Sequence, residues 1–161
     1  MSYSLNMSTL KSLKYRPMVY LGDIGPLHFY KNRIKSHNKD LNILLQTQKS
    51  ISIYKYGITS DIYRRVYKEH AKKFSTFDLK ILKESHQNKY VETVLTRELK
   101  QKNMLLELHD PYRKQVIREL FCFTDPNTQF PWFIDLLDDT IHDSWNIDTI
   151  WSWNNFVTIE K

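Results

Sequence analysis

Alternation of apolar and polar residues marks several short stretches of the chain as β-strands. The segment PMVYLGDIGP is a mostly apolar run closed by a Gly-Pro turn, which predicts a first strand. In SISIYKYGIT, every second residue from Ile51 points to one face, and the run ends near Gly57, where a backbone or a ligand can come close. The segment STFDLKILKE alternates in the same way and predicts a third strand. The segment YRKQVIRELFCF is a mixed element that ends in a further candidate strand.

Helical periodicity and capping residues predict helices between and after these strands. The tripeptide Thr59-Ser60-Asp61 supplies good N-cap residues, so a helix is expected from about 62 to 73. A longer helix is predicted at roughly 88–102, and the cluster LNILL predicts a short one.

The order strand, strand, helix, strand, helix favours an α+β fold, with a small mixed or antiparallel sheet of about three strands flanked by helices. The first two strands are expected to pair as a hairpin with a long loop. The predicted organisation is a basic leader at 1–17, a main domain at 18–123 that contains a basic insertion at 26–50, and a helical C-terminal extension at 124–161.

Composition restricts the class of protein. The chain has 161 residues, of which 41% are hydrophobic, and this is a globular composition. No apolar run approaches the ~18 residues of a membrane span, and the N-terminus lacks the continuous apolar core of a secretory signal. The only cysteine, Cys122, cannot form an internal disulfide, and no cluster of cysteines supports a structural zinc site. We therefore expect an intracellular protein, in cytoplasm or nucleus, with no membrane partner.

The charge of the chain is divided unevenly along its length. Residues 1–123 hold 23 of the 24 Lys and Arg and 11 of the 18 acidic residues, whereas residues 124–161 hold one lysine and seven acids. A basic body suggests an anionic partner, most often nucleic acid, and a lysine-rich surface without such a partner is the plainer alternative. The acidic extension carries all four tryptophans. We expect it to fold back onto the basic body, to form a homodimer contact or to bind a partner protein.

Four charged or titratable side chains interrupt the apolar pattern. Lys55 follows two isoleucines on one strand face, so it either snorkels to the sheet edge or serves a site. Arg65 lies beside the apolar stripe of its helix, and its alternative role is an i, i+4 pair with Glu69. His70 is either a buried core histidine or a chemical group. Glu92 shares a helix face with leucines, where a carboxylate is costly unless it is paired, protonated or bound to a cation.

The helix that follows the second strand is strongly basic. Arg64, Lys68, Lys72 and Lys73 are its candidates for nucleic-acid contact, and the positive dipole at its N-terminus also favours phosphate. Phosphodiester cleavage needs a base for water, a cation for the pentavalent phosphorane and a carboxylate for a metal ion. The chain carries each of these residue types on consecutive predicted elements.

These residues carry a family resemblance. The segment VYLGDIG, followed by YKYGITSDIYRRVYKEH and then by Glu92 on a later helix, resembles the GIY-YIG nuclease superfamily, and within it the branch found in phages, large DNA viruses and mobile elements. The resemblance covers about residues 18–123 and includes RELF as a closing segment. The chain departs from the pattern in two ways, because Met18-Val19-Tyr20 replaces Gly-Ile-Tyr and the insertion lengthens the gap between the two motifs.

The resemblance implies a general base. Tyr20 matches the tyrosine of the first motif, which would act as a phenolate that takes a proton from water. Lys55 stands where the second motif has its tyrosine, and a neighbouring ammonium would favour the phenolate. Tyr54 and Tyr56 flank Lys55 and are alternatives for the functional tyrosine.

The resemblance also implies a phosphate grip and a metal ligand. Arg65 would hold the scissile phosphate, His70 matches a histidine at a spacing offset by one residue, and Glu92 would bind one Mg²⁺ or Mn²⁺. The sequence therefore predicts a metal-dependent DNA endonuclease, with the insertion either tracking the DNA backbone or forming a plain surface loop. The alternative is a catalytically inactive nucleic-acid-binding or structural protein on the same scaffold.

Overall fold

A six-stranded antiparallel sheet runs through residues 18–122. The computed structural model describes residues 7–110, 112, 114–143 and 157–158. The strands are β1 (Met18–Pro26), β2 (Ile34–Lys35), β3 (Ser52–Thr59), β4 (Asp78–Glu84), β5 (Leu105–Asp110), β6 (Gln115–Cys122) and β7 (Val157–Thr158). The two-residue strand β7 pairs with β4 as a seventh strand, and the order across the sheet is β2-β5-β6-β3-β1-β4-β7.

Helices flank this sheet, and the fold is α+β. None of the helices in the described part of the chain is long and apolar enough to cross a membrane. The helices predicted at 62–73 and 88–102 are present with nearly these limits. The helices are α1 (Met7–Ser12), α2 (Lys39–Thr47), α3, which joins a π-helical segment (Arg64–His70) to a short α-helical turn (Ala71–Lys73), α4 (Asn88–Gln101) and α5 (Pro126–Asp143).

The predicted sheet of about three strands was too small. Strand β2 has only two residues, which is too short to show any periodicity. Strand β5 is separated from helix α4 by the three residues 102–104, and only Leu106 and Leu108 alternate as buried positions within it. β5 pairs with β6 as an antiparallel hairpin and so extends the sheet on the side of β3.

Two layers of apolar side chains cover the two faces of the sheet. Alternate residues of β1 divide between them, with Tyr20 in the first layer and Leu21 in the second. The first layer also contains residues of α1, α2 and α3, and the second contains residues of α4 and α5. Cys122, which is buried, lies in the first layer and pairs with Ile53 on β3.

Parts of the leader, the insertion and the extension belong to these layers. Leu10 of α1 and Leu41 of α2 are buried in the first layer, and Leu137 of α5 is buried in the second. Each such side chain contributes roughly 1.5–3 kcal/mol through burial. Lys83 of β4 forms an ion pair with Asp138 of α5, which ties the extension to the sheet. Residues 1–6 of the leader and residues 144–156 and 159–161 of the extension, with the predictions made for them, lie outside the described residues.

The register of three strands brings the polar residues of the sheet together. Tyr20 on β1 lies opposite Gly57 on β3, so the predicted pairing of these strands is present. The ladder between β3 and β6 has three pairs and ends at Lys55 opposite Leu120. Since side chains two residues apart on a strand share a face, Lys55 and Gly57 lie on the same side of the sheet as Tyr20.

Candidate active site

Tyr20 lies in the buried centre of β1, and its ring occupies space that only a glycine leaves open. A Cβ atom added to Gly57 would lie 2.6 Å from the Tyr20 hydroxyl and 2.9 Å from the carbon that bears it. The sequence predicted a close approach at Gly57, and the approaching group is this phenol. Gly57 therefore sets the position of the hydroxyl across the β1–β3 ladder.

The Tyr20 hydroxyl forms a buried hydrogen bond with His70. The distance between the hydroxyl oxygen and His70 Nε2 is 2.6 Å, and the imidazole stacks on Phe77 with ring centroids 4.9 Å apart. Nδ1 of His70 is buried and has no hydrogen-bond partner among the described residues. When the hydroxyl donates to Nε2, the hydrogen of a neutral imidazole lies on Nδ1.

Both members of this pair are neutral at physiological pH. Burial raises the pKa of Tyr20 well above its usual range, and Arg65 opposes this effect only in part. Burial, followed by the charges of Lys55, Arg65 and Lys73, lowers the pKa of His70 to about 3. The resting phenolate that the sequence predicted is therefore disfavoured, and Lys55 is not the charge that lowers the pKa of Tyr20.

Helix α3 carries His70 through a π-helical segment. The backbone N–H of Ala71 donates to the carbonyl of Val66, an i to i−5 bond that closes a loop one residue longer than that of an α-helix. Upstream, the Asp61 carboxylate accepts from the N–H of Arg64 at 3.1 Å, as the capping prediction requires. Because a π-helical segment accommodates one additional residue, the periodicity of a regular α-helix does not give the position of His70.

Lys55 is buried and does not snorkel to solvent. Its ammonium donates to the carboxylate of Glu119 at 2.7 Å and to the backbone carbonyls of Tyr56 and Arg118 at 3.1 and 3.2 Å. Burial lowers the pKa of Lys55, and the charge of Glu119 opposes that shift. Three acceptors match the three hydrogens of the ammonium, so the cation is fixed at the end of the β3–β6 ladder.

Glu119 is a site residue that the sequence analysis did not identify. It lies in the segment RELF, where strict alternation would place it on the same side as Phe121, in the second apolar layer. The β5–β6 register shifts between Leu106 and Leu108, and this irregularity redirects Glu119 toward Lys55. A glutamate in a run of strand residues was the only signal in the sequence, and it carries no information about such a shift.

Arg65 and Glu92 complete the group of charges. Arg65 Nε lies 3.3 Å from Glu69 Oε2, so the predicted alternative pair is present, and 37% of the Arg65 side chain remains exposed. Burial and the charge of Glu119 raise the pKa of Glu92, and the charges of Lys55 and Arg65 oppose this shift. Glu92 therefore lies near enough to Glu119, Lys55 and Arg65 for their charges to affect its ionisation.

The other predicted nucleic-acid contacts lie on the surface of α3. Arg64, Lys68, Lys72 and Lys73 are exposed. Lys72 and Lys73 line a cavity of about 300 Å³, to which the insertion contributes Arg33. The structure thus joins two of the four residues to a third cation, and it leaves Arg64 and Lys68 on the open helix surface.

The alternative tyrosines lie on the opposite side of the sheet. Tyr54 stacks on Phe121 with centroids 5.6 Å apart, and the Tyr56 hydroxyl lies 2.8 Å from Thr96 Oγ1 on α4. Both belong to the second apolar layer. Neither shares the face on which Tyr20 meets His70.

The donor set restricts how a metal ion could be held. Within the described ranges, no three His, Cys, Asp or Glu side chains form a group that could hold a metal ion. Glu92 supplies one carboxylate, and the nearby Glu119 is bonded to Lys55. Mg²⁺ is commonly bound by one or two carboxylates together with substrate phosphates and water, so this site fits a cation that arrives with a phosphate substrate.

Comparisons with protein-family models, with curated proteins and with solved structures found no match to this chain.

Proposed function

We propose that this protein is a metal-dependent DNA endonuclease of the GIY-YIG type. The observation that carries the proposal is the buried hydrogen bond between the Tyr20 hydroxyl and His70 Nε2, together with the charges that affect the pKa values of these two residues. Arg65 and Glu92 both affect the pKa of Tyr20, and Lys55 affects the pKa of His70. A phenol, an imidazole, an ammonium, a guanidinium and a carboxylate in one region match the requirements of phosphodiester hydrolysis.

The Tyr20–His70 pair would act as the general base without a resting phenolate. As a water molecule attacks phosphorus, its proton passes to the Tyr20 oxygen while the phenolic proton passes to Nε2 of His70. Neutral His70 offers its Nε2 lone pair for this transfer, and because its pKa is about 3, formation of the imidazolium would depend on the negative charge that develops on the phosphate. The 2.6 Å separation is within hydrogen-bond reach, as a proton relay requires.

Arg65 and Glu92 would act on the phosphate. The partly exposed guanidinium of Arg65 would bind the non-bridging oxygens as negative charge develops on them. Glu92 would hold one Mg²⁺ or Mn²⁺, which when bound neutralises charge on the phosphate oxygens and the leaving group. Lys72, Lys73 and Arg33 would contact backbone phosphates beyond the cleavage position.

A cleavage assay on linear, nicked, branched and supercoiled DNA, with Mg²⁺ and with Mn²⁺, tests the proposal. We expect cleavage by the wild-type protein and losses of about 10²–10³-fold in Arg65→Ala and Glu92→Gln. Arg97→Ala is the matched control, because Arg97 is an exposed arginine of α4 that, among the described residues, pairs with its neighbour Glu98. Equal cleavage by all four proteins would contradict the assignment. So would the absence of cleavage by the wild-type protein on every substrate with either metal.

A nucleic-acid-binding protein without catalysis is the second candidate. The raised pKa of the Tyr20 hydroxyl favours it, because such a phenol is a poor base on its own. In that case DNA affinity would fall steeply with salt, Arg65→Ala would weaken binding only modestly, and no product would form. Binding measured in the presence of a chelator separates this function from cleavage.

A further inference from the structure

Strand β6 contains a bulge that holds Glu119 in an unfavourable backbone conformation. The β5–β6 register passes from Leu106 opposite Leu120 to Leu108 opposite Ile117, so two residues of β6 face one residue of β5. Those two residues are Arg118 and Glu119. Glu119 has φ 63°, in the left-handed region that side chains other than glycine rarely adopt.

The bulge leaves a side chain where glycine would be the less strained residue. In bulges of this kind the left-handed position is normally glycine, because a Cβ atom there crowds the backbone. Strain of this sort persists only where the surrounding structure compensates it, and it occurs most often at functional sites. The compensating contacts of Glu119 therefore identify what its side chain does.

The carboxylate of Glu119 bonds directly to a buried cation. Its Oε2 lies 2.7 Å from the Lys55 ammonium, whose side chain is only 8% exposed, whereas that of Glu119 is 39% exposed. The same bulge presents the carbonyl of Arg118 to the ammonium at 3.2 Å. One irregularity of β6 thus supplies two of the three acceptors that surround Lys55, and β3 supplies the third.

We propose that Glu119 is a positioning residue of the site, kept in its strained conformation to hold the Lys55 ammonium in a fixed place beside the Tyr20–His70 pair. Its catalytic consequence depends on the proposed nuclease function, whereas its effect on Lys55 does not. Among the described residues Glu119 bonds to Lys55, and its charge also raises the pKa values of Tyr20 and Glu92. An ion pair with a merely structural role could be replaced by apolar side chains without loss of function.

A set of variants separates strain from function. We compare Glu119→Gly, Glu119→Gln and Lys55→Met with the double variant Lys55→Met/Glu119→Gly in urea unfolding. Once Lys55 is removed, the relief of the left-handed conformation should exceed the backbone-entropy cost of glycine, so the double variant should unfold at a higher urea midpoint than Lys55→Met. An equal or lower midpoint would show that the strain at Glu119 is too small to require a compensating contact, and it would overturn the proposal.

Cleavage kinetics test the positioning role. At saturating DNA, Glu119→Gly should lose about 100-fold in single-turnover rate, because the ammonium is no longer held in place, while its DNA affinity stays within about threefold. Glu119→Gln keeps a side-chain oxygen that can accept a hydrogen bond from Lys55, so its loss of rate should be smaller than that of Glu119→Gly. Glu107→Gln, which removes the carboxylate opposite the bulge on β5, is the control and should cleave like the wild type. A Glu119→Gly protein that cleaves at the wild-type rate overturns the role.

If the wild-type protein cuts no DNA, NMR spectroscopy still tests whether Glu119 fixes the Lys55 ammonium. The hydrogen-bonded, buried Lys55 ammonium should give a slowly exchanging ¹⁵N resonance in the wild-type protein, identified by its absence in Lys55→Met. That resonance should be lost or broadened in Glu119→Gly and retained in Glu107→Gln. Its retention in Glu119→Gly would show that Glu119 does not fix Lys55, whatever the protein does to DNA.

Discussion

Replacing Gly57 with alanine should move the Tyr20 hydroxyl away from His70. The new Cβ atom would lie 2.6 Å from that hydroxyl oxygen. Ordinary van der Waals contact begins near 3.4 Å, so the hydroxyl must move away by about 0.8 Å to reach it. Gly57 pairs with Tyr20 inside the β1–β3 ladder, so its backbone cannot withdraw without breaking strand hydrogen bonds. The displacement therefore falls on the ring of Tyr20.

The energetic effect of Gly57→Ala follows from the packing around Tyr20. Tyr20 is 2% exposed, and the centroid of its ring lies 6.4 Å from that of Phe77. Displacing the Tyr20 ring therefore overpacks the core at a cost of roughly 1–3 kcal/mol. Loss of the hydrogen bond to His70 adds about 0.5–1.5 kcal/mol. Alanine is better than glycine in a strand by roughly 0.5–1 kcal/mol, which offsets part of this. The net destabilisation should be about 1–3 kcal/mol, with a melting temperature lowered by roughly 2–4 °C per kcal/mol.

Thermal and urea unfolding of four proteins measures this effect. They are the wild type, Gly57→Ala, Tyr20→Phe and the double variant. Because Tyr20→Phe removes the atom nearest the new methyl group, Gly57→Ala should cost about 1 kcal/mol less in that background. Additive changes in the free energy of unfolding would refute the proposed contact. If the protein is a nuclease, Gly57→Ala should also cleave DNA about 100-fold more slowly, because the proposed base is misplaced.

Three further predictions concern the pH response, the surface and the extension. Burial lowers the pKa of His70 to about 3 in the folded protein, so the unfolded chain binds a proton first as the pH falls. The free energy of unfolding should therefore be highest above about pH 6.5 and should fall toward pH 3 by at most roughly 1.4 kcal/mol per pH unit. Urea titrations at several pH values should show a flatter slope in His70→Gln. Lys72→Ala and Lys73→Ala should each lower the slope of log affinity against log salt by about one, measured by fluorescence anisotropy with labelled DNA, and Lys100→Ala should not. Leu137→Ala in α5 should destabilise the protein by about 2–5 kcal/mol in urea unfolding, whereas an accessory extension would leave it unchanged.

The regular elements were predictable because their signals are local. Alternation in STFDLKILKE and the capping residue Asp61 depend on neighbours in sequence, and the corresponding strand and helix are present with nearly the expected limits. Strand β5 was missed although Leu106 and Leu108 alternate, because two buried positions soon after a helix are too few to distinguish a strand from a loop.

The site could be predicted only in part, because two irregularities determine its geometry. The π-helical segment of α3 sets the position of His70, and the bulge in β6 sets that of Glu119. Both insert one residue into a regular element, so periodicity gives the wrong side of the element beyond that point. Gly57 was recognised as a point of close approach, yet nothing local in the sequence could indicate that a phenol from another strand would approach it.

The single thiol of the chain offers a probe of how tightly the strands are held. Cys122 is the only cysteine, it is buried on β6, and burial raises its pKa to about 12. A thiolate is the reactive form, so an aromatic disulfide reagent should react with the native protein only when that strand detaches. Since Cys122 pairs with Ile53, two residues before Lys55, the rate of labelling would report the opening of the very strands that hold the buried cation, with no engineered label.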